Sequence, residues 1–233
     1  MPSNLSKLRE MVFEANLELV RQGLVISTFG NASGILPEES LVAIKPSGVD
    51  YDALTPDMLV ITDLDGNVVD GNLRPSSDLP THLVLYRSFE SIGGVVHTHS
   101  RYATAWAQAG KEIPCFGTTH ADYFHGSVPL TEWMNPEEII EAYEENTGHV
   151  IVRRFSELDP ISFPSVLVAG HGPFCWGKDA FDAAHHAVLL EEIARLAHLT
   201  KTLNPAAQSI PDVLLDKHFL RKHGPGAYYG QKR

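Results

Sequence analysis

Residues 95–100, VVHTHS, constrain this chain more than any other stretch. Gly93 to Val96 lead into His97, Thr98 and His99, and Val95, Val96 and Thr98 favour a strand. Side chains alternate along a strand, so His97 and His99 point the same way, roughly 6.6 Å apart. Two imidazoles on one face at a strand end can share one metal ion. Zinc, with nitrogen ligands at about 2.0–2.1 Å, suits such a pair. A lone H-x-H is also compatible with two histidines on the solvent face of an edge strand, so a third ligand has to decide. His171 is the best candidate. It ends the apolar stretch SVLVAG as the pair ends IGGVV, and Gly170 and Gly172 leave room around it. Three neutral imidazoles would leave the ion its charge and an open position, the arrangement of a catalytic zinc. His185, His186 and His198 fall on a long helical stretch, and His82, His120, His125, His149 and His223 lack a ligand pattern.

The remaining composition narrows the setting. The 233 residues suffice for one sizeable domain, 43% hydrophobic and 20% charged, able to bury a core. The 18 basic against 29 acidic residues give a net charge of −11, which argues against nucleic acid and anionic membranes as partners. An anionic ligand would need a local pocket that overcomes this field. Cys115 and Cys175 form no disulfide framework and no C-x-x-C, so a reducing cytoplasm is expected. MPSNLSKLRE has no apolar signal-peptide core, and no apolar run approaches the 18 or so residues of a membrane span.

Residues 4–22 have helical spacing, capped by Asn4 or Ser3 and stopped by Gly23. LVIST (24–28) reads as a strand running into the loop FGNASG (29–34). LVAIK (41–45), MLVITD and NVVDG continue an antiparallel meander, with Asp65-Gly66 as a hairpin signal. A helix from Pro80 to about Phe89 starts after RPSSD, with Ser76 or Ser77 as cap. Arg101 to Ala109 reads as a short helix, GTTHADYFHG (117–126) as a loop, and Asn135-Pro136 as a helix start with a stop at Gly148. VIVRRF (150–155) and SVLVAG (165–170) read as strands, and HGPFCWGKD (171–179) as a tight hairpin. Helices over 180–203 and from Pro211 to Gly224 complete the chain. With no repeat or linker, residues 1–233 are expected to be one domain, a mixed sheet with helices packed on its faces.

Three stretches are suited to an anion: Phe29-Gly30-Asn31, Lys45-Pro46-Ser47-Gly48 and Ser76-Ser77. Each offers backbone N–H groups, hydroxyls or an amide, and Lys45 adds charge. Any one alone reads as an ordinary turn or cap; three on successive loops of an acidic chain point to a phosphate site. Asp78 reads as a metal-site carboxylate or as a helix cap. Asp122, in TTHADYF, and Tyr229, in AYYGQ, are an acid and a phenol able to transfer protons.

Taken together, GNASG, KPSGVDY, RPSSD, GGVVHTHSRYAT, GTTHADYF, HGPFCWGKD, LLDKHFLRKHG and AYYGQ resemble the class II aldolase family of zinc sugar-phosphate enzymes. The resemblance runs from about residue 5 to 231. PSSD, THADYF, DKHFLRKHG and AYYGQ are similar to its L-ribulose-5-phosphate 4-epimerase branch, with Arg74 where a lysine is usual. The resemblance implies an α/β fold: three layers, α/β/α, around a central mainly antiparallel sheet. It implies a homotetramer of fourfold symmetry with active sites at subunit interfaces, and one Zn²⁺ per subunit, replaceable by Mn²⁺ or Co²⁺. His97, His99 and His171 would bind the metal, with Asp78 beside it. Asn31, Lys45, Ser47, Gly48, Ser76 and Ser77 would hold the phosphate. Asp122 would be the acid/base on one substrate face and Tyr229, from a neighbouring subunit, on the other. Thr118, and His218 from a neighbour, would line the pocket. The rival readings are a sugar-phosphate aldolase of the fuculose or rhamnulose type and a non-catalytic zinc-bound assembly protein. Asp78, where the aldolases tend to carry glutamate, favours the epimerase branch, and a scaffold would need no acid/base pair.

Overall fold

In the computed structural model, residues 4–230 are described. The proposed Ser3 cap lies outside them. Helix α1 (Asn4–Arg21) buries Leu8, Val12, Ala15 and Leu19, the steps of three and four that the sequence carries, and ends at Gly23 in a left-handed turn, φ +67°. Strands β1 (Asn31–Leu36), β2 (Leu41–Ile44), β3 (Val60–Asp63) and β4 (Val68–Asp70) follow. Helix α2 (Leu79–Ser88), strand β5 (Gly94–His97) and helix α3 (Arg101–Gln108) come next. The one-turn helix α4 (Thr118–Ala121) precedes α5 (Pro136–Glu141) and α6 (Tyr143–Arg154). Strands β6 (Ser165–Leu167) and β7 (Pro173–Gly177) and helices α7 (Ala180–Leu203) and α8 (Asp212–His223) close the chain.

The sheet order is β4-β3-β2-β1-β5-β7-β6, and every neighbouring pair is antiparallel. Alternation along the strands divides the core in two. Ala43, Val96, Leu167 and Cys175 pack on one face with α1, α3 and α7. Val42, Ile44, Val95, Val166, Phe174 and Trp176 pack on the other with α2 and α6. This is the three-layer α/β/α arrangement.

Five local expectations are corrected. LVIST is not a strand: residues 24–28 are irregular, and Ile26 is exposed. The strand is NASGIL instead, because α1 lies so close that only small residues fit beneath it. A Cβ on Gly34 would come within 2.9 Å of Val12. Buried Asn16 adds a side-chain ladder: its Nδ2 donates to Ala32 O at 3.1 Å, and its Oδ1 accepts from Ala32 N at 2.9 Å. VIVRRF is the end of α6, not a strand, since its buried residues, Val150 and Ile151 after Thr147 and Gly148, follow helical spacing. β-Branched residues are no barrier where packing decides. Gly148 does not stop the helix; a Cβ there would meet Val84 at 2.6 Å, so it lets α6 lie against α2. HGPFCWGKD is mostly strand β7: the turn sits earlier, with Val168 N donating to Gly172 O at 2.9 Å, and Asp179 caps α7 by accepting from Asp182 N at 2.8 Å. Finally, part of the 117–126 loop is α4.

Candidate active site

The centre of the sheet carries the site. β5 ends at His97, opposite Asn31 on β1 and Phe174 on β7. His99 lies just beyond the strand, so alternation does not orient it; its ring meets His97 edge-on with centroids 4.9 Å apart. His171 comes from the β6–β7 turn, its ring centroid 4.7 Å from His97 and 5.0 Å from His99. One ligand atom from each of the three lies within 4.8 Å of the others, the sole such group found among the described residues. Asp78 is not in that group.

The donor set fits a divalent cation. His97 Nδ1 is 3.0 Å from Pro173 O, a bond it makes as donor, which leaves Nε2 its lone pair. Nε2 of His97 and Nε2 of His99 are 3.1 Å apart, close to the about 3.3 Å between two ligands of a tetrahedral zinc. His171 Nδ1 is 3.2 Å from the Tyr143 hydroxyl. Burial, then the neighbouring His97 and His99, push His171 down to about 3, and burial lowers His99. Both shifts favour the neutral imidazole, the form that binds metal. His82 is also pushed down to about 3 by burial, but it is a wholly buried packing residue bonded through Nδ1 to Ser33 Oγ at 2.7 Å.

Around the triad is a cavity of about 380 Å³, lined by Asn31, Lys45, Ser47, Gly48, Ser76, Ser77 and Asp78 together with the three histidines. The sequence reading thus named ten residues that converge here. A larger hollow of about 700 Å³ between α3 and α7, lined by Tyr102, Trp106 and His198 among others, lacks such a convergence of donors. Neither Ser76 nor Ser77 caps α2. Asp78 occupies the cap position without a side-chain cap bond. Its carboxylate instead accepts from Asn31 Nδ2 at 2.6 Å, and the same amide donates to Ser76 Oγ at 3.0 Å. Asn31 Oδ1 is buried without a hydrogen-bond partner among the described residues. Burial pushes the Asp78 carboxyl up, but His97, His82, the hydrogen bond from Asn31 and His171 outweigh it and hold it below its ordinary value. Lys45 is buried; its Nζ donates to Val49 O at 2.6 Å and sits 4.7 Å over the Tyr51 ring. Burial lowers its pKa.

Asp122, Thr118, His218 and Tyr229 do not line this cavity. They form a second constellation where α8 packs on α4. Asp122 accepts from Arg221 Nε at 3.0 Å and Nη2 at 2.7 Å. His218 Nδ1 is 3.0 Å from the same carboxylate and Lys222 Nζ 3.7 Å. The Asp122 N–H donates to Thr118 O at 3.0 Å. The Tyr229 ring is exposed and stacks 4.6 Å from the Arg221 guanidinium. His218 was expected from a different subunit than Asp122, yet within one chain the two touch. Burial pushes the Asp122 carboxyl up, but Arg221, His218 and Lys222 outweigh it and lower it overall.

Three supporting residues escaped the sequence reading. Tyr51 donates to Gly30 O at 2.8 Å and holds the loop before Asn31; its place in KPSGVDY was the one available signal. Gly30 itself has φ +83°, and a Cβ there would lie 2.9 Å from Val25. Tyr143 and Asn16 carry no local signal, since each acts on a residue distant in the chain.

Residues 10–198 match the family described as the class II aldolase and adducin N-terminal domain. The chain is 55% identical over 228 residues, 98% of its length and 100% of the relative's, to L-ribulose-5-phosphate 4-epimerase UlaF of Salmonella paratyphi B. The UlaF protein of Salmonella typhi matches at the same identity and coverage. Among solved structures, an L-fuculose 1-phosphate aldolase superposes with a TM-score of 0.78 at 25% identity, covering 94% of this chain and 96% of that one. YgbL of Klebsiella pneumoniae shares the fold, with a TM-score of 0.74 at 24% identity over 93% and 99% of the two chains.

Proposed function

Because the chain belongs to the class II aldolase and adducin family, we propose that it is a zinc-dependent epimerase interconverting L-ribulose 5-phosphate and D-xylulose 5-phosphate. The observation that carries this reading is the histidine triad opening into a cavity lined by Lys45, Ser47, Gly48, Ser76 and Ser77. It is supported by the 55% identity to relatives named as L-ribulose-5-phosphate 4-epimerases. His97, His99 and His171 would hold the cation, which when bound supplies Lewis-acid stabilisation of negative charge developing on substrate oxygens.

The chemistry follows from the substrate. The carbonyl of a ribulose is at C2, so the C4 hydrogen is not acidic. Breaking C3–C4 does lead somewhere: the C4 hydroxyl loses its proton and becomes an aldehyde, while the bonding electrons pass into an enediolate over C2 and C3. The glycolaldehyde phosphate turns about its anchored phosphate, the enediolate attacks the opposite aldehyde face, and the new C4 alkoxide takes up a proton. One group must accept a proton on one side and another must give one on the other. Asp122, held ionised by Arg221 and His218, and the Tyr229 phenol are that pair. Lys45, Ser47, Gly48, Ser76 and Ser77 anchor the phosphate so that the fragment does not escape. Asn31 orders Asp78 beside the triad. Since Asp122, Thr118, His218 and Tyr229 stand apart from the cavity of their own chain, they serve the cavity of a neighbouring copy in a homotetramer.

The rival reading is a sugar-phosphate aldolase, favoured by the superposition on the fuculose 1-phosphate enzyme. A turnover assay separates the two. Metal-loaded protein is given L-ribulose 5-phosphate, and D-xylulose 5-phosphate and free glycolaldehyde phosphate are followed with and without chelator. Chelator-sensitive xylulose phosphate with little free aldehyde is expected. Accumulating aldehyde would move the protein to the aldolases.

A further inference from the structure

The three histidines of the triad are not held alike. His97 ends a central strand, and its off-site nitrogen is tied to the Pro173 carbonyl. His171 stands in the turn between β6 and β7. Its backbone N–H is fixed on Val168 O at 3.0 Å, but that bond does not set the rotation of its ring. Among the described residues, the one polar side chain bonded to the ring is Tyr143, whose hydroxyl is 3.2 Å from Nδ1. We infer that Tyr143 is a positioning residue that turns Nε2 of His171 toward the cation.

Tyr143 is built to hold still. It is the first residue of α6, brought there by a break at Ala142 with φ −152° and ψ 66°. Thr147 Oγ1 donates to Tyr143 O at 2.8 Å, and the Thr81 hydroxyl donates to Glu144 O. Gly148 allows α6 to sit against Val84 of α2. The same helix pair therefore presents Asp78, at the start of α2, and Tyr143, at the start of α6.

The protonation pattern is consistent. A cation on Nε2 leaves the imidazole proton on Nδ1, where the phenol oxygen accepts it. Only one tautomer then serves both partners. Such outer partners orient a ligating histidine and raise its basicity, and losing one typically costs about 10–100-fold in metal affinity.

This assignment rests on the metal reading of the same site, and the test keeps the two apart. Wild-type protein and Tyr143→Phe are stripped of metal and titrated with zinc against a chromophoric chelator. The thermal midpoint of each metal-free form is measured in parallel. The expected result is zinc binding weakened about 10–100-fold in Tyr143→Phe, with the metal-free midpoint unchanged. Equal zinc affinity in the two proteins overturns the assignment, whatever the midpoints do. Nitrogen NMR of histidine-labelled, zinc-loaded wild type gives a second reading that needs no variant: a protected proton on His171 Nδ1 supports the assignment, and zinc on Nδ1 overturns it. A wild-type chain that binds no zinc overturns the metal reading and this assignment with it.

Discussion

At the scale of single residues, the proposed function assigns metal, anchor and proton transfer to different groups. His97 is the most constrained ligand, stacked 4.2 Å from Phe174 and bonded to Pro173. His97→Asn is expected to lose both bound zinc and turnover, measured by metal analysis beside the epimerase assay; full activity without metal would remove the metal role. Tyr229 is exposed and takes part in no core packing, so Tyr229→Phe isolates its proton. Turnover should fall about 10²–10⁴-fold while KM changes little, and an unchanged turnover number would end its acid/base role. That Lys45 belongs with the cavity was legible from its motif. Its burial and its bond to Val49 were not, because both depend on how the chain folds around it.

At the scale of elements, packing sets what each segment becomes. β1 hangs on Asn16, whose side chain satisfies both backbone groups of Ala32. Asn16→Leu keeps the branching of the side chain but orphans those groups, at about 1–3 kcal/mol each, a loss readable in urea unfolding. Gly148→Ala places a methyl 2.6 Å from Val84; overpacking of this kind costs about 1–3 kcal/mol, and the same unfolding experiment checks it. Helix α8 is fastened by Asp122 to Arg221, His218 and Lys222. Asp122 has a lower pKa in the folded chain than its ordinary value. Its contribution is therefore present above the unfolded carboxylate value, about 3.9, and is lost as pH falls through the lower folded one. Amide protection factors in α8 should fall on acidification in that window, and Asp122→Asn should flatten the dependence. A wild-type helix equally protected across the window would exclude the clamp.

At the scale of the whole molecule, one chain carries two separate clusters: the triad with its cavity, and the constellation around Asp122. If the second completes the first in a neighbour, two inactive variants should rescue one another. Asp122→Asn and His97→Asn, dissociated and reassembled one to one, are expected to recover about a quarter of wild-type activity, since half the intact triads would meet an intact Asp122 across a symmetric interface. No recovery from tetramers proved mixed would show that each chain serves itself.

The sequence by itself determined the features that depend on short spacing and residue chemistry. The H-x-H pair, the three loop stretches that line the cavity and the amphipathic α1 were all legible, because each is contained within a few turns or strand steps. The triad's third member was reached only by matching strand ends, and the β6–β7 turn brings it within 4.8 Å of the other two. Tertiary structure decided what local propensity could not. NASGIL rather than LVIST is the strand because α1 presses on Gly34, and VIVRRF is helix because α2 receives Gly148. His99 faces His97 beyond the end of its strand, Tyr143 meets His171 across 28 residues, and Asp122 meets α8 across nearly 100. Contacts at such separation leave no periodicity in the chain, so their energies are expressed only when the layers pack.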